Sequence, residues 1–234
     1  MSQSCEALAV QPMAATPTHM LDVAERLFAQ KGIDGVSIRE IVRESGQSNL
    51  SAAHYHFGSR EALVAALLTR RTRTINALRH KRLDALEADG LAGDVHAIVK
   101  ATVMAIAEVV KTTDWGPNYV RVVAQVILNS QSQVMDLVDP DNLSGLVRSN
   151  KMFRQVLRHL PLQVFKDRMW IVNNESIYSL ARWVYANGPV NAANRRRFDA
   201  LLLTTVDFLA AGLLSPLSSK VNKAASSQGP THGS

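Results

Sequence analysis

The chain of 234 residues has one cysteine, Cys5, so no disulfide can close within it. That suits a reducing compartment. No run of about 18 apolar residues occurs, so nothing in the sequence is built to span a membrane. The opening MSQSCEALAVQPMAATPTHM lacks the basic start and continuous apolar stretch of a secretory signal. A cytoplasmic location is therefore expected. Alternating Val/Ile/Thr runs bounded by hairpin turns are missing, which removes the signal for strands. Metal-ligand clusters are missing too. His54 and His56 come nearest, but a spacing of two on a short helix turns the rings to different faces, and no cysteine lies nearby. No metal and no cofactor is expected. Histidines and carboxylates do not gather elsewhere: His96 and His159 are isolated, and Glu108 and Glu175 have no evident sequence partner. An all-helical enzyme therefore has little support, because acid–base work needs partners held together. The chain is read as not an enzyme.

What is present is a helical pattern over most of the chain. With 47% hydrophobic residues there is ample material for a core. HMLDVAERLFAQKG places Leu21, Ala24, Leu27 and Phe28 on one face, and Gly32 stops it. Ser37 with Glu40 three residues on makes a capping box before Ile38, Ile41 and Val42, and Gly46 ends that helix. A short helix is expected from about Asn49 to Tyr55. Ser59 can cap a long helix carrying Leu63, Leu67, Ile75 and Leu78. Asp94 can cap the next, and Pro117, Pro140 and Pro161 sit where first-turn prolines belong. Asn187-Gly188-Pro189 marks a turn before a final helix from about Asn194 to Leu213. The total is about nine helices. Both ends, 1–17 and 215–234, are small, polar and Ser/Gly/Pro-containing, and are expected to be disordered.

The net charge is +6 and the sequence pI about 9.7, which hints at a polyanionic partner. Its distribution is less telling. Charges cancel between Thr18 and Arg60, and a basic run follows at Arg70, Arg71, Arg73, Arg79, Lys81 and Arg82. Such a run reads either as a solvated helix face or as a binding surface.

Three short helices with a tight glycine link between the second and third make a helix-turn-helix pattern. Its second helix enters the major groove. Short polar side chains suit base edges and phosphates there. Tyr55 and His56 end the reading helix. Arg60 lies in the first turn of the next, where free N–H groups favour an anion. LDVAERLFAQKGIDGVSIREIVRESG followed by YHFGSREALV resembles the DNA-binding head of the tetracycline-repressor (TetR) family of bacterial transcriptional regulators. The resemblance covers Met20 to Leu67. It rests on Ala24, Leu27, Phe28, Gly32, Ile41, Tyr55, His56, Phe57, Leu63 and the Ser59-Arg60-Glu61 start. One departure is a residue more than the family pattern between Gly46 and Phe57. Counting back from Phe57 favours Ser51, Ala52 and His54 as groove-facing.

The resemblance implies an all-α protein. Its helix-turn-helix head at 18–65 would be joined by a long helix to an effector-binding and dimerisation bundle at 66–214. It implies a homodimer on a palindromic double-stranded DNA operator, acting as a ligand-responsive regulator, with repression the leading sense. The DNA-contacting candidates are Ser37, Arg39, Ser48, Asn49, Ser51, Ala52, His54, Tyr55, His56, Ser59 and Arg60. The last two long helices would pair with their copies, and Phe198, Leu201, Leu202, Thr205, Phe208 and Leu209 form the candidate stripe. Packing against own-chain helices is the other reading of that stripe. Met104, Trp115, Tyr119, Val123, Ile127, Met152, Phe153, Met169, Trp170, Asn173 and Tyr178 are taken as inward-facing, either plain core or effector contacts. Their character points to a small, largely apolar effector with one or two polar groups. A helical scaffold without DNA binding is the remaining alternative, and the YHFGSREALV corner speaks against it.

Overall fold

The computed structural model describes residues 17–46, 59–129 and 134–218. All its regular structure is helical, and no strand occurs among the described residues. Helix α1, Pro17–Lys31, buries Leu21, Ala24, Leu27 and Phe28. It ends at Gly32, whose φ of 87° is open to glycine and strained for other residues. Helix α2, Ile38–Glu44, starts because Ser37 Oγ accepts the Glu40 N–H at 3.1 Å. Its Ile41 and Val42 turn inward, Val42 against Met20 of α1.

Helix α3 runs from Arg60 to Ala88, 29 residues, and Ser59 Oγ caps it by accepting the Ala62 N–H. Asp94 caps α4, Val95–Thr112, through the N–H groups of His96 and Ala97. Then follow α5, Gly116–Asn129, the short α6, Val134–Leu137, a 3-10 turn, Pro140–Leu143, and α7, Ser144–Val156. Pro161 precedes α8, Leu162–Asn187, and Gly188 turns the chain into α9, Arg195–Leu214.

Helix α3 lies against α4 and α7, α4 against α9, and α5 against both α8 and α1. One hydrophobic cluster therefore runs from Phe28 in α1 to Leu213 in α9. Each large side chain fully buried in it contributes about 1.5–3 kcal/mol.

The candidate interface stripe on α9 divides. Phe198, Leu202, Thr205 and Leu209 are in the chain's own core, against α4 and α8, and none is available to a second copy. Leu201 is half-buried, and Phe208 is 72% exposed. The outward apolar residues of α9 are Leu203, Phe208 and Leu214, and α8 adds Trp170 and Ile171. A helix with apolar residues on two sides has one side for its own core and one left over.

Candidate nucleic-acid interface

Ser37, Arg39, Ser59 and Arg60 are the DNA-contact candidates that the structure describes. Ser48, Asn49, Ser51, Ala52, His54, Tyr55 and His56 lie outside the described residues, as does the Phe57 plug. Ser37 and Ser59 both spend their hydroxyls on helix caps. Arg39 is exposed on the first turn of α2. Arg60 opens α3, and its Nη1 reaches Asp34 Oδ1 only at 3.5 Å. Its buried Nε has no partner. This guanidinium is loosely held beside the free N–H groups of a helix start, a place where a phosphate is favoured.

The basic run is mostly not a solvated stripe. Arg71 is buried, and its Nε and Nη2 both donate to Glu25 Oε2, at 2.9 and 2.5 Å. Nη2 also donates to Asp22 Oδ1 at 2.6 Å, and Arg70 Nη1 to the same oxygen at 2.8 Å. These pairs bolt α1 of the head to α3. The Arg71 guanidinium lies 4.6 Å from the centroid of the Trp115 ring, and Trp115 meets Tyr119 edge-on at 5.9 Å. Tyr119 shares a hydrogen bond with Thr72 of α3 at 3.1 Å. A connected polar and aromatic chain thus leads from the head into the body. The sequence signals it only as adjacent arginines, because Glu25 is 46 positions from Arg71.

Burial pushes the Glu25 carboxyl up from 4.5 to about 7, against the pull of Arg71. The folded chain then binds more protons than the unfolded chain between those values. This contribution to stability is fully present below pH 4.5 and is lost as pH rises through about 7. The loss amounts to about 3 kcal/mol. Glu25→Gln should flatten that part of the stability curve. Urea midpoints from about pH 4.5 to 7.5 test this, and an equal slope in the variant would assign the titration to another group.

A second link joins head and body at the C-terminal end of α1. Gln125 of α5 donates through Nε2 to the Phe28 carbonyl at 3.0 Å, and its Oε1 accepts the Ile33 N–H at 2.9 Å. A groove of about 670 Å³ opens beside it. Arg121 and Gln125 of α5 and Glu175, Tyr178, Arg182 and Tyr185 of α8 line it, with Gln30 from the head.

Of the effector candidates, only Tyr178 reaches that groove. Tyr119, Val123, Met152, Phe153 and Met169 are buried in the common core, and Met104, Trp115 and Ile127 are packed half-buried against it. Trp170 corrects the inward-facing expectation, since it is 64% exposed on the outer side of α8. Asn173 is half-buried, and the buried amide nitrogen without a partner is that of its neighbour Asn174. Glu108 pairs with Arg82 at 2.5 Å. No group of three or more His, Cys, Asp or Glu that could hold a metal occurs among the described residues. No helix there is long and apolar enough to cross a membrane.

Comparison with known proteins agrees with this geometry. The fold is similar to that of the fatty acid degradation regulator FadR from Bacillus halodurans, with a TM-score of 0.59 at 13% identity, covering 88% of this chain and 100% of that one. It is similar to the transcriptional regulator FadR from Bacillus subtilis in complex with stearoyl-CoA, with a TM-score of 0.56 at 10% identity, covering 87% and 100%. A chain from Shewanella sp. PV-4 assigned to the tetR family of transcription regulators gives a TM-score of 0.54 at 15% identity, covering 82% and 95%. No curated protein matches by sequence. Residues 20–67, from α1 into α3, match the family described as bacterial regulatory proteins, tetR family. The head of this chain is therefore similar to the N-terminal domain of the bacterial regulatory proteins of the tetR family.

Proposed function

We propose that the chain is a cytoplasmic, ligand-responsive transcriptional repressor. Two copies would present their heads, residues 18–65, to an inverted-repeat operator. A small, largely apolar effector held by the body, residues 66–214, would release them. The observation that carries this reading is the double attachment of the head. Glu25 is bolted to Arg71, and Gln125 clamps the end of α1. A shift of α3 or α5 must therefore be felt by the reading head, and a coupling of about 1–3 kcal/mol changes operator affinity roughly 5- to 150-fold. Bacillus subtilis FadR is a regulator of similar fold in complex with stearoyl-CoA. That supports a ligand-holding body here without naming its ligand. The outward apolar residues of α8 and α9, Trp170 and Phe208 foremost, would meet the second copy. A two-fold dimer reads two half-sites, which is why the operator should be palindromic.

Selection of bound fragments from a random DNA pool tests the reading directly, with an inverted repeat as the expected outcome. A pool that yields no enriched sequence would favour a scaffold without DNA binding. The Arg60 corner gives a finer test. Arg60→Ala should weaken binding to all sequences alike and reduce the slope of log K against log salt by about 0.9, one phosphate's worth. An unchanged slope would remove Arg60 from the interface.

A further inference from the structure

Arg79 differs from every other member of the basic run that is drawn inward. Arg70, Arg71 and Arg82 each have a carboxylate. Arg79 is 6% exposed, deeper than Arg71, and no carboxylate among the described residues forms an ion pair with it. Its Nε has no hydrogen-bond partner. The titratable group close enough to act on it is the fully buried Tyr119 hydroxyl, which burial pushes above its ordinary value. Burial also pulls the guanidinium below its own ordinary value. An arginine nonetheless keeps its proton in a protein. The body therefore holds an interior positive charge that no ion pair offsets. Its stem is fixed there by the close approach of α7. A Cβ on Gly145 would stand 3.4 Å from the Arg79 Cβ and only 2.8 Å from Asn76 Oδ1, so a side chain at 145 would push α7 off α3.

An uncompensated buried charge is costly unless something pairs with it. The Tyr119 hydroxyl acts on it, and that hydroxyl shares a 3.1 Å hydrogen bond with Thr72 Oγ1. We infer that Arg79, with Tyr119 beside it, receives the carboxylate of an apolar monoacid, and that this acid is the effector. The inference rests on the proposed ligand-responsive reading and refines its ligand class. A planar guanidinium matches a carboxylate through two parallel N–H···O bonds, and Tyr119 can donate a third. One positive charge calls for one negative charge. A phosphate dianion would exchange one unpaired charge for another.

The test uses the full-length protein and a fixed panel: benzoate, phenylacetate, octanoate and decanoate, each beside its neutral alcohol. Without any acid, Arg79→Met should raise the melting temperature by about 2–4 °C, because it removes an unpaired charge from the interior. At least one acid of the panel should raise the melting temperature of the parent protein more than its alcohol does. Arg79→Met should weaken that acid about tenfold or more while leaving alcohol binding unchanged. Tyr119→Phe, which keeps the ring, should weaken the acid several-fold, and this guards against an Arg79 variant that fails to fold. If Arg79→Met lowers stability as an ordinary core truncation would, the charge is satisfied within the chain and the inference falls. It falls equally if no acid of the panel binds, or if acids bind both variants as well as the parent. Operator release is measured separately. An acid that binds through Arg79 but leaves DNA affinity unchanged supports the carboxylate site and overturns its role as effector site. A protein that selects an operator but binds no acid retains the regulator reading and loses this one.

Discussion

Leu202→Glu is expected to leave no folded protein, whereas Phe208→Glu is expected to give a folded monomer. The two residues are six apart on α9, about 120° around the helix, and differ wholly in exposure. Leu202 is 1% exposed inside the chain's own core. A carboxylate there has no described partner, and its desolvation costs several kcal/mol. Total stability is only about 5–15 kcal/mol, so most of it would go. Phe208 is 72% exposed, and changing it removes little from the isolated fold. Across a two-fold axis it would bring two like charges near each other and remove apolar area from both copies. Circular dichroism melting separates folded from unfolded variants, and sedimentation separates monomer from dimer. A Phe208→Glu protein that sediments as a stable dimer would move the interface off this side of α9.

The second large effect is expected at the bolt between head and body. Arg71→Met should cost about 3 kcal/mol, the lower end for a broken buried pair, because Glu25 can take up a proton once its partner is gone. It also removes the cation stacked on Trp115. Operator binding should fall further than stability does, since α1 loses the buried part of its tie to the helix that carries Arg60 and of its ion pairs to that helix keeps only Arg70–Asp22. Replacing both partners, Arg71→Met with Glu25→Leu, should recover much of the stability, because no unpaired charge then remains. Operator affinity should not recover with it if the ion pair sets the angle of the head. A double-mutant cycle on both quantities decides this. Full recovery of DNA binding in the double variant would reduce the pair to a plain stabilising contact.

What the sequence made legible was what is local. Ser37, Gly32, Ser59 and Asp94 mark helix ends through chemistry acting over three or four residues, and the helices stop and start at them. The all-helical fold was legible for the same reason, since apolar spacing repeats within each helix. The charged contacts were not. Arg71 reads as one of a run, and its partners Asp22 and Glu25 are 49 and 46 positions away. The fate of the α9 stripe was not legible either. Periodicity says that Leu202 and Leu209 are buried but cannot say against which surface. Trp170 shows the same gap from the other side, because an aromatic in an apolar helix carries no mark of which way it faces. In the sequence Arg79 is one more member of the basic run, and only its depth, without a carboxylate, sets it apart.

The Gln125 clamp has a mechanical consequence. Both of its hydrogen bonds hang on one rigid amide plane, and both end on the same turn of chain, at Phe28 and Ile33. They cannot lengthen independently. A hydrogen bond is lost once the heavy atoms separate beyond about 3.5 Å, so a slip of about half an ångström between α5 and α1 strains the two together. Each contributes about 1 kcal/mol. This contact therefore behaves as a friction clutch rather than a spring: small displacements of α5 carry the end of α1 along rigidly, and larger ones release both bonds in one step while the Arg71 attachment stays.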